Sequence, residues 1–229
     1  MLLYNVLNAN PVIPSACNPH VIQNSPAAHH LPARVGVPAV TADPALVVRI
    51  NFLGGIMGFY AGKLAIITGG SSGIGLAIAR QIVKNQGDVV ILARRQEMLD
   101  QATSEIEKIR VTPQQKILSL QADVTSFDSL EESLKELCIK YGTPDIVINS
   151  AGVAHPGNFS NLSIDVFHWM MDVNYFGTVN VLKILVPPMQ KRRSGSIVNI
   201  SSVAGFIGVY GYTAYGASKY AVAGFSDAL

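Results

Sequence analysis

Charge is scarce in this sequence, and neither sign dominates. Only 14% of the 229 residues are charged, and 17 Lys and Arg stand against 15 Asp and Glu, for a formal net charge of +2. This balance excludes the basic footprint typical of nucleic-acid binding and the acidic run of a solvated tail. We therefore expect small molecules or further copies of the chain as partners, and no nucleic acid.

Cysteine is also scarce, and no cluster of metal-binding residue types is apparent. Cys17 and Cys138 lie far apart in the chain and lack a metal-type spacing, which favours a reducing compartment. His29 and His30 are adjacent, but no further ligand-type residues stand at suitable spacing around them. We therefore predict no metal site.

A long hydrophobic run is missing as well. The apolar stretch NFLGGIMGFYAG at 51–62 is too short and too rich in glycine to span a bilayer alone. The first residues, MLLYNVLNA, lack the cationic start of a secretory signal. These absences predict a cytoplasmic protein whose contact with a membrane is at most peripheral, at the membrane surface.

Proline is concentrated in the first quarter of the chain, where charge is rarest. Residues 1–56 contain seven of the twelve prolines and only three charged residues, and they show no helical or alternating periodicity. We interpret this segment as a disordered or poorly structured leader, or as a misassigned start. A single domain is predicted at 57–229, beginning near Met57, and the apolar content of 49% permits a sizeable core.

From residue 63 onward, strand-type and helix-type segments alternate. The predicted strands are KLAIITGG, DVVILA, KILSLQADV, DIVINSAG and SIVNISS. Helical periodicity separates them, including a long region at 163–186, and a last helix begins at about Thr213. Thr125 and Asp128 are predicted to form a capping box for the helix near 126–141. This alternation predicts an α/β fold, a Rossmann-like doubly wound parallel sheet with five strands.

The turn between the first strand and the first helix is rich in glycine and serine. It reads TGGSSGIG at 68–75, with glycines that permit a tight turn and a close approach of the backbone to a pyrophosphate. The amides at the N-terminus of the next helix attract negative charge. We predict a dinucleotide site here, the alternative being a tight turn without a ligand. The candidate binding residues are Gly69, Ser71, Ser72, Gly73, Ile74 and Gly75.

The end of the second strand bears on which dinucleotide would bind. An acidic residue near this point usually holds a ribose 2′-hydroxyl, whereas an arginine accommodates a 2′-phosphate. Here Ala93 takes the expected acidic position, and Arg94 and Arg95 follow it. Two cations at a helix start are opposed by the helix dipole, and a bound phosphate would offset this. The pattern predicts NADP(H), the alternative being two solvated arginines.

Further candidates follow the third and fourth strands. Asp123, with Val124 beside it, either hydrogen-bonds an adenine or begins a loop. After the fourth strand, NSAG supplies Asn149, Ala151 and Gly152, whose small size would let the backbone lie against a flat cofactor ring. The alternative for NSAG is an ordinary turn.

Two polar residues interrupt a small, apolar stretch near the end of the chain. In TAYGASKYAV, Tyr215 and Lys219 are four positions apart and would project from one face of a helix. They either pack together or perform chemistry. A free phenol has a pKa of about 10, and a neighbouring ammonium lowers such a value by roughly 1 to 3 units, toward the range of a useful acid.

Five motifs in order identify a resemblance over about residues 62–229. They are TGGSSGIG, NSAG, VNYFG at 173–177, IVNISSVAG at 197–205 and YGASK at 215–219. The chain thereby resembles the short-chain dehydrogenase/reductases. The resemblance implies a catalytic tetrad of Asn174, Ser202, Tyr215 and Lys219, with Ser202 thirteen residues before Tyr215. Tyrosine would protonate the carbonyl oxygen, serine orient that oxygen, lysine hold the nicotinamide ribose and asparagine support a proton relay; Tyr215 and Lys219 are thus also cofactor-binding candidates.

Three longer stretches resemble one branch of that family. They are GFIGVYGYTAYGASKYAVAGF at 205–225, AGVAHPGNF at 151–159 and MMDVNYFGTV at 170–179, and they are similar to 3-ketodihydrosphingosine reductases. The branch implies NADPH-dependent reduction of the ketone of a long-chain sphingoid base, a lipid-like substrate. The alternatives are a 3-oxoacyl-carrier-protein reductase and a general carbonyl reductase.

The predicted strand count is low for this fold. Such a sheet ordinarily has at least six strands, and with five present the strand SIVNI would form an exposed edge. We therefore expect a family fold that lacks its C-terminal part, or one that is unstable unless that edge is covered. A truncated, non-catalytic nucleotide-binding protein is the competing hypothesis. Relatives pair through the helices at 163–186 and after Thr213, which implies a homo-oligomer for the complete protein.

Overall fold

A computed structural model of the chain describes residues 58–229. The predicted leader, the predicted domain start at Met57, and the residues Cys17, His29 and His30 lie outside the described residues.

The described chain alternates strands and helices. The strands are β1 Leu64–Thr68, β2 Asp88–Ala93, β3 Ile117–Gln121, β4 Ile146–Asn149 and β5 Ser196–Asn199. The helices are α1 Gly73–Lys84, α2 Gln96–Glu107, α3 Phe127–Tyr141, α4 Ile164–Met171, α5 Gly177–Arg192 and α6 Thr213–Ala228, with a π-helical turn at Asp172–Phe176 between α4 and α5. Short 3₁₀ turns occur at Phe159–Asn161 and Val203–Gly205.

The five strands form one sheet in which every pair is parallel. Their order is β3-β2-β1-β4-β5. The chain therefore builds outward from β1 in one direction and then, from β4, in the other. This doubly wound arrangement confirms the predicted fold class, and it places a crevice outside the carboxyl ends of β1 and β4, where the winding direction changes.

Each face of the sheet carries its own hydrophobic core, because successive side chains of a strand point to opposite faces. On one face Ile66 and Val147 belong to a cluster that includes residues of α3 and α5. On the other, Ile67 and Ile91 pack with residues of α1 and α2. Burial on both faces explains why the strands read as continuous apolar runs rather than as alternating ones.

The predicted capping box at the start of α3 is wrong. The Thr125 hydroxyl donates to Oδ1 of Asp123 at 2.8 Å, and the Thr125 amide donates to the same oxygen at 2.9 Å. These bonds commit Thr125 to the loop after β3. Ser126 takes the capping position instead, without a side-chain capping bond, and α3 begins at Phe127.

The predicted long helical region at 163–186 is confirmed, but the structure adds two details. The π-helical turn divides it, and its C-terminal part runs on to Arg192 through Pro187 and Pro188. Prolines inside a helix remove hydrogen bonds, but Leu185 and Met189 on either side of them are fully buried and anchor this part of α5. The helix ends only at Arg193, which adopts a left-handed conformation with φ of 56°.

Candidate active site

The crevice at the carboxyl ends of β1 and β4 contains two adjoining cavities. Gly69, Gly152 and Val153 line both, so these residues form the boundary between them. The first cavity extends toward the ends of β2 and β3, and the second toward α6. The site is therefore an elongated cleft that crosses the sheet where the winding direction changes.

The glycine-rich turn after β1 forms the floor of this cleft. Gly69 has φ of 67°, and a Cβ there would lie 2.9 Å from the backbone nitrogen of Ala151. A Cβ at Gly75 would collide with the carbonyl oxygen of Gly69. At Gly73, φ is 54° and a Cβ would meet no atom within 4 Å. Two glycines thus permit backbone contact within the fold, and the third leaves open space where a ligand can approach.

The side chains between these glycines are divided between the two cavities. Ser71 lines the first cavity, whereas Ser72, Gly73 and Ile74 line the second. The helix α1 begins at Gly73 with no side-chain cap on its first amides. Unpaired amides at a helix start form an anion-binding position.

The first cavity has a cationic rim. Arg94 and Arg95 line it together with Asp123, Val124 and Ala151. Nη1 of Arg94 lies 3.9 Å from Oδ2 of Asp123, and both side chains are exposed, so this ion pair is a weak, solvated one. Asp123 is held in place mainly by its bonds from Thr125, while the arginines remain accessible.

Tyr215 and Lys219 both line the second cavity. Nζ of Lys219 lies 5.9 Å from the centre of the Tyr215 ring, and it donates to the carbonyl oxygen of Ile200 at 2.9 Å. Lys219 is only 6% exposed, and burial lowers its pKa from 10.5 to about 8. At neutral pH the side chain therefore remains predominantly a cation, one helical turn from the phenol.

Asn174 lies behind the cleft, in the π-helical turn. Its Oδ1 accepts from the amide of Val153 at 2.8 Å, and its Nδ2 donates to the carbonyl oxygen of Val153 at 3.0 Å and to Oγ of Ser218 at 2.9 Å. A Cβ at Gly152 would lie 3.1 Å from this Oδ1 and 3.5 Å from Nζ of Lys219. Asn174 does not line either cavity; it fixes the segment that does.

Three further predicted residues, Gly75, Ser202 and Asn149, also lie outside the lining. Oγ of Ser202 accepts from the amide of Ala204 at 3.2 Å, which starts a 3₁₀ turn and leaves the hydroxyl hydrogen free to be donated. Asn149 is buried at the end of β4, where its Nδ2 donates to Oδ1 of Asn199 at 2.9 Å. Asn149 thus pairs the ends of β4 and β5 rather than contacting the cleft.

Some lining residues were missed by the sequence reasoning. Ser201 lines the second cavity and donates to the carbonyl oxygen of Lys219 at 3.0 Å. Ser150, Val153 and Ala154 line it too. Their position inside or directly after NSAG and NISS was the available signal, since those motifs end strands whose carboxyl ends form the cleft.

The residues present fit a dinucleotide. Glycines keep the floor of the cleft open, unpaired helix amides face the turn, and two arginines stand at one end. These features define the class: a doubly wound α/β protein with a dinucleotide-type cleft. The chain belongs, within that class, to the short chain dehydrogenase family, whose family model matches residues 63–229.

Curated relatives and solved structures agree with this membership. The chain is 38% identical over 169 residues to a 3-dehydrosphinganine reductase of Danio rerio, covering 73% of this chain and 51% of the relative. It is 37% identical to a 3-ketodihydrosphingosine reductase of Bos taurus, again over 73% and 51% of the two chains. The chain thus spans about half the length of the curated relatives it matches.

Among solved structures, the chain is similar to L-sorbose reductase from Gluconobacter frateurii in complex with NADPH and L-sorbose. That match has a TM-score of 0.69 and 28% identity, over 76% of this chain and 64% of the other. An actinorhodin polyketide ketoreductase with NADPH gives a TM-score of 0.69 and 31% identity, over 73% and 63%. The family consists of dehydrogenases and reductases, and the two solved neighbours named here are reductases in complex with NADPH.

Proposed function

We propose that the protein reduces a ketone with NADPH, using Tyr215 as the acid. The observation that carries this proposal is the placement of Tyr215 and Lys219 in one cavity that adjoins the glycine turn through Gly69 and Gly152. A bound NADPH would supply the hydride. The protein must then deliver a proton to the carbonyl oxygen and hold the substrate against the cofactor.

Each member of the predicted tetrad is assigned a role in this proposal. Tyr215 donates its phenolic proton to the substrate oxygen, and the cationic Lys219 favours the phenolate that remains. Ser202 retains a hydroxyl hydrogen with which it orients that oxygen. Asn174 holds Val153, which lines the cleft, in a fixed position relative to α6.

Replacing Tyr215 by Phe tests the catalytic assignment. We expect turnover to fall at least about a hundredfold because general acid catalysis contributes on that order, while NADPH affinity changes little. Tyr210→Phe is the matched control, since that phenol is exposed and lines neither cavity. Turnover that survives in the Tyr215 variant would show that another group donates the proton.

The arginines at the rim support NADPH over NADH. Arg94 and Arg95 line the cavity end where Ala93 stands in place of an acidic residue. Replacing either by Ala should weaken NADPH about 10-fold to 100-fold, the size of one charge-assisted hydrogen bond, and leave NADH nearly unchanged.

Arg80→Ala is the control for cofactor choice. It removes the same charge, but Arg80 pairs with Glu105 on the outer helices and lines neither cavity. Binding constants for both nucleotides should be measured for all three variants. Equal losses of NADPH and NADH on replacing Arg94 or Arg95 would mean that no 2′-phosphate is recognised.

A long-chain sphingoid ketone is the proposed substrate class. The curated relatives at 37–38% identity are reductases of this type by name. The loop before α6 exposes Phe206, Ile207 and Val209, and it is joined to the loop after β4 by a bond from the Gly157 amide to the Gly211 carbonyl at 2.8 Å. These apolar side chains lie beside the segment that carries Tyr215 and suit an alkyl chain.

Substrate choice is tested by comparing kcat/KM for three ketones with NADPH. The probes are a long-chain 3-keto sphingoid base, a 3-oxoacyl thioester and a short cyclic ketone. We expect the sphingoid ketone to be preferred because it alone brings a long alkyl chain to the apolar loops. A preference for the thioester would favour the alternative that the ketoreductase neighbours suggest.

A further inference from the structure

Ser218 connects two members of the proposed tetrad through a single buried hydroxyl. Its side chain is fully buried; Oγ accepts from Nδ2 of Asn174 at 2.9 Å and donates to the backbone carbonyl of Tyr215 at 2.7 Å. We propose that Ser218 is a positioning residue that fixes the first turn of α6, with Tyr215 and Lys219 on it, against Asn174. This inference rests on the proposed function.

The other bonds of Asn174 fix the direction of its bond to Ser218. Oδ1 of Asn174 is occupied by the Val153 amide, so the group facing Ser218 must be the Nδ2 donor. A hydroxyl can accept that bond and donate another at the same time, whereas an alanine can do neither. Removing the hydroxyl therefore strands a buried N–H of Asn174 and takes away the side-chain bond to the Tyr215 carbonyl, which keeps only its helical bond.

The other bonds at the start of α6 act on Lys219 and Tyr212: Nζ of Lys219 donates to the Ile200 carbonyl, and the Tyr212 carbonyl accepts from the Gly216 amide. Tyr212, at the N-terminal boundary of the helix, makes no side-chain capping bond. Tyr215 lies in the first turn, three positions before Ser218, and Lys219 follows Ser218 directly. Loss of the Ser218 bonds should therefore loosen the turn that carries the phenol, and a displacement of about 1 Å at a reacting group costs on the order of a hundredfold in rate.

The same helix supplies a matched control. Ser226 is 2% exposed, its Oγ accepts from Nδ2 of Asn199 at 2.9 Å, and it donates to the Val222 carbonyl at 2.6 Å. The chemistry and the burial match those of Ser218, but the amide partner belongs to β5, and Ser226 lies about three helical turns from Tyr215. Ser226→Ala thus reproduces the cost to folding without touching the cleft.

The test compares Ser218→Ala with Ser226→Ala by calorimetric binding of two nucleotides and by steady-state reduction. NADPH reaches the Tyr215 end of the cleft, whereas 2′,5′-ADP carries the phosphates without the nicotinamide ribose. We expect Ser218→Ala to weaken NADPH about tenfold, to leave 2′,5′-ADP unchanged and to lower kcat more than it changes KM. Ser226→Ala should leave both affinities and kcat as they are in the folded protein.

The other possible results also decide whether Ser218 positions the catalytic turn. Equal behaviour of the two alanine variants would overturn the positioning role, because Ser218 would then serve folding alone. If Ser218→Ala does not fold, Ser218→Cys replaces it in the test. Because a thiol forms weaker hydrogen bonds, this variant should lose NADPH affinity and kcat to a smaller extent. A Cys variant with the affinity and kcat of the unsubstituted chain would overturn the proposal. Should the unsubstituted chain bind neither nucleotide, the proposed function itself fails, and this inference with it.

Discussion

Lys219 is a buried cation at the candidate site. Its ammonium is 6% exposed and donates to the carbonyl of Ile200, with no carboxylate paired to it within residues 58–229. Burial in such surroundings penalises the charged form, which explains the fall of its pKa to about 8. The fold therefore holds a cation beside Tyr215 at a cost in stability.

The penalty has a signature in the pH dependence of stability. The pKa of Lys219 is lower in the folded chain, about 8, than the 10.5 of the free group. Below pH 8 both states are protonated and the penalty is complete. Between the two values the folded chain releases the proton that the unfolded chain keeps, so the free energy of unfolding rises with pH.

Lys219→Met removes this dependence. Relative to that variant, the unsubstituted chain should gain about 2 kcal/mol of unfolding free energy between pH values of about 7 and about 9.5, as the linkage relation gives for this shift. Urea unfolding of the nucleotide-free protein at both pH values measures it. Lys135→Met is the control: it removes a lysine that is 62% exposed and keeps Lys219, so its unfolding free energy should rise with pH as that of the unsubstituted chain does. Equal slopes for all three proteins would mean that Lys219 is not desolvated.

At the scale of single elements, the sequence predicted the glycine turn and the strands well, because both are local. Glycine is required where φ is positive, as at Gly69 and Gly73, and a strand buried on both faces is apolar throughout. The start of α6 at Thr213 follows the sequence for the same reason. Such features depend on a few neighbouring residues.

The helices between β4 and β5 were less predictable because distant contacts shape them. Asn174 turns inward to bond both backbone groups of Val153, and Gly177 packs so closely that a Cβ would lie 2.6 Å from Val124. A π-helical turn accommodates these contacts. The spacing of apolar residues along the chain does not reveal these contacts, so a long helical region without a π-helical turn was predicted. Similarly, the motif alone did not indicate that Ser201, next to the predicted Ser202, lines the second cavity.

On the scale of the whole molecule, the central strands of the sheet connect the two ends of the cleft. The central strand β1 pairs with β2 on one side and β4 on the other, and its residues from Leu64 to Thr68 are all buried. The glycine turn leaves from this strand. A cofactor that spans the cleft would therefore lie along the buried centre of the sheet, with α6 closing one end. Within residues 58–229 no helix is long and apolar enough to cross a membrane.

The outer strand β5 forms one edge of this sheet, and β3 forms the other. Within the described residues it pairs only with β4. The amides of Ser196 and Ile200 donate to the carbonyls of Asp145 and Asn149, at 2.8 and 2.9 Å. Because amides alternate in direction along a strand, those of Ile197 and Asn199 must point away from β4. They form an open edge of the kind that proteins usually cover.

Hydrogen exchange of the 229-residue chain tests whether this edge is open. At high dilution we expect the Ile197 and Asn199 amides to exchange at least about tenfold faster than that of Ile66 in β1, because a bonded central strand opens only with large-scale unfolding. The Ile200 amide, bonded to β4, serves as the control on the same edge. Protection of Ile197 and Asn199 equal to that of Ile66 would mean that another segment or another copy already pairs with β5, and a dependence of that protection on concentration would identify the second copy.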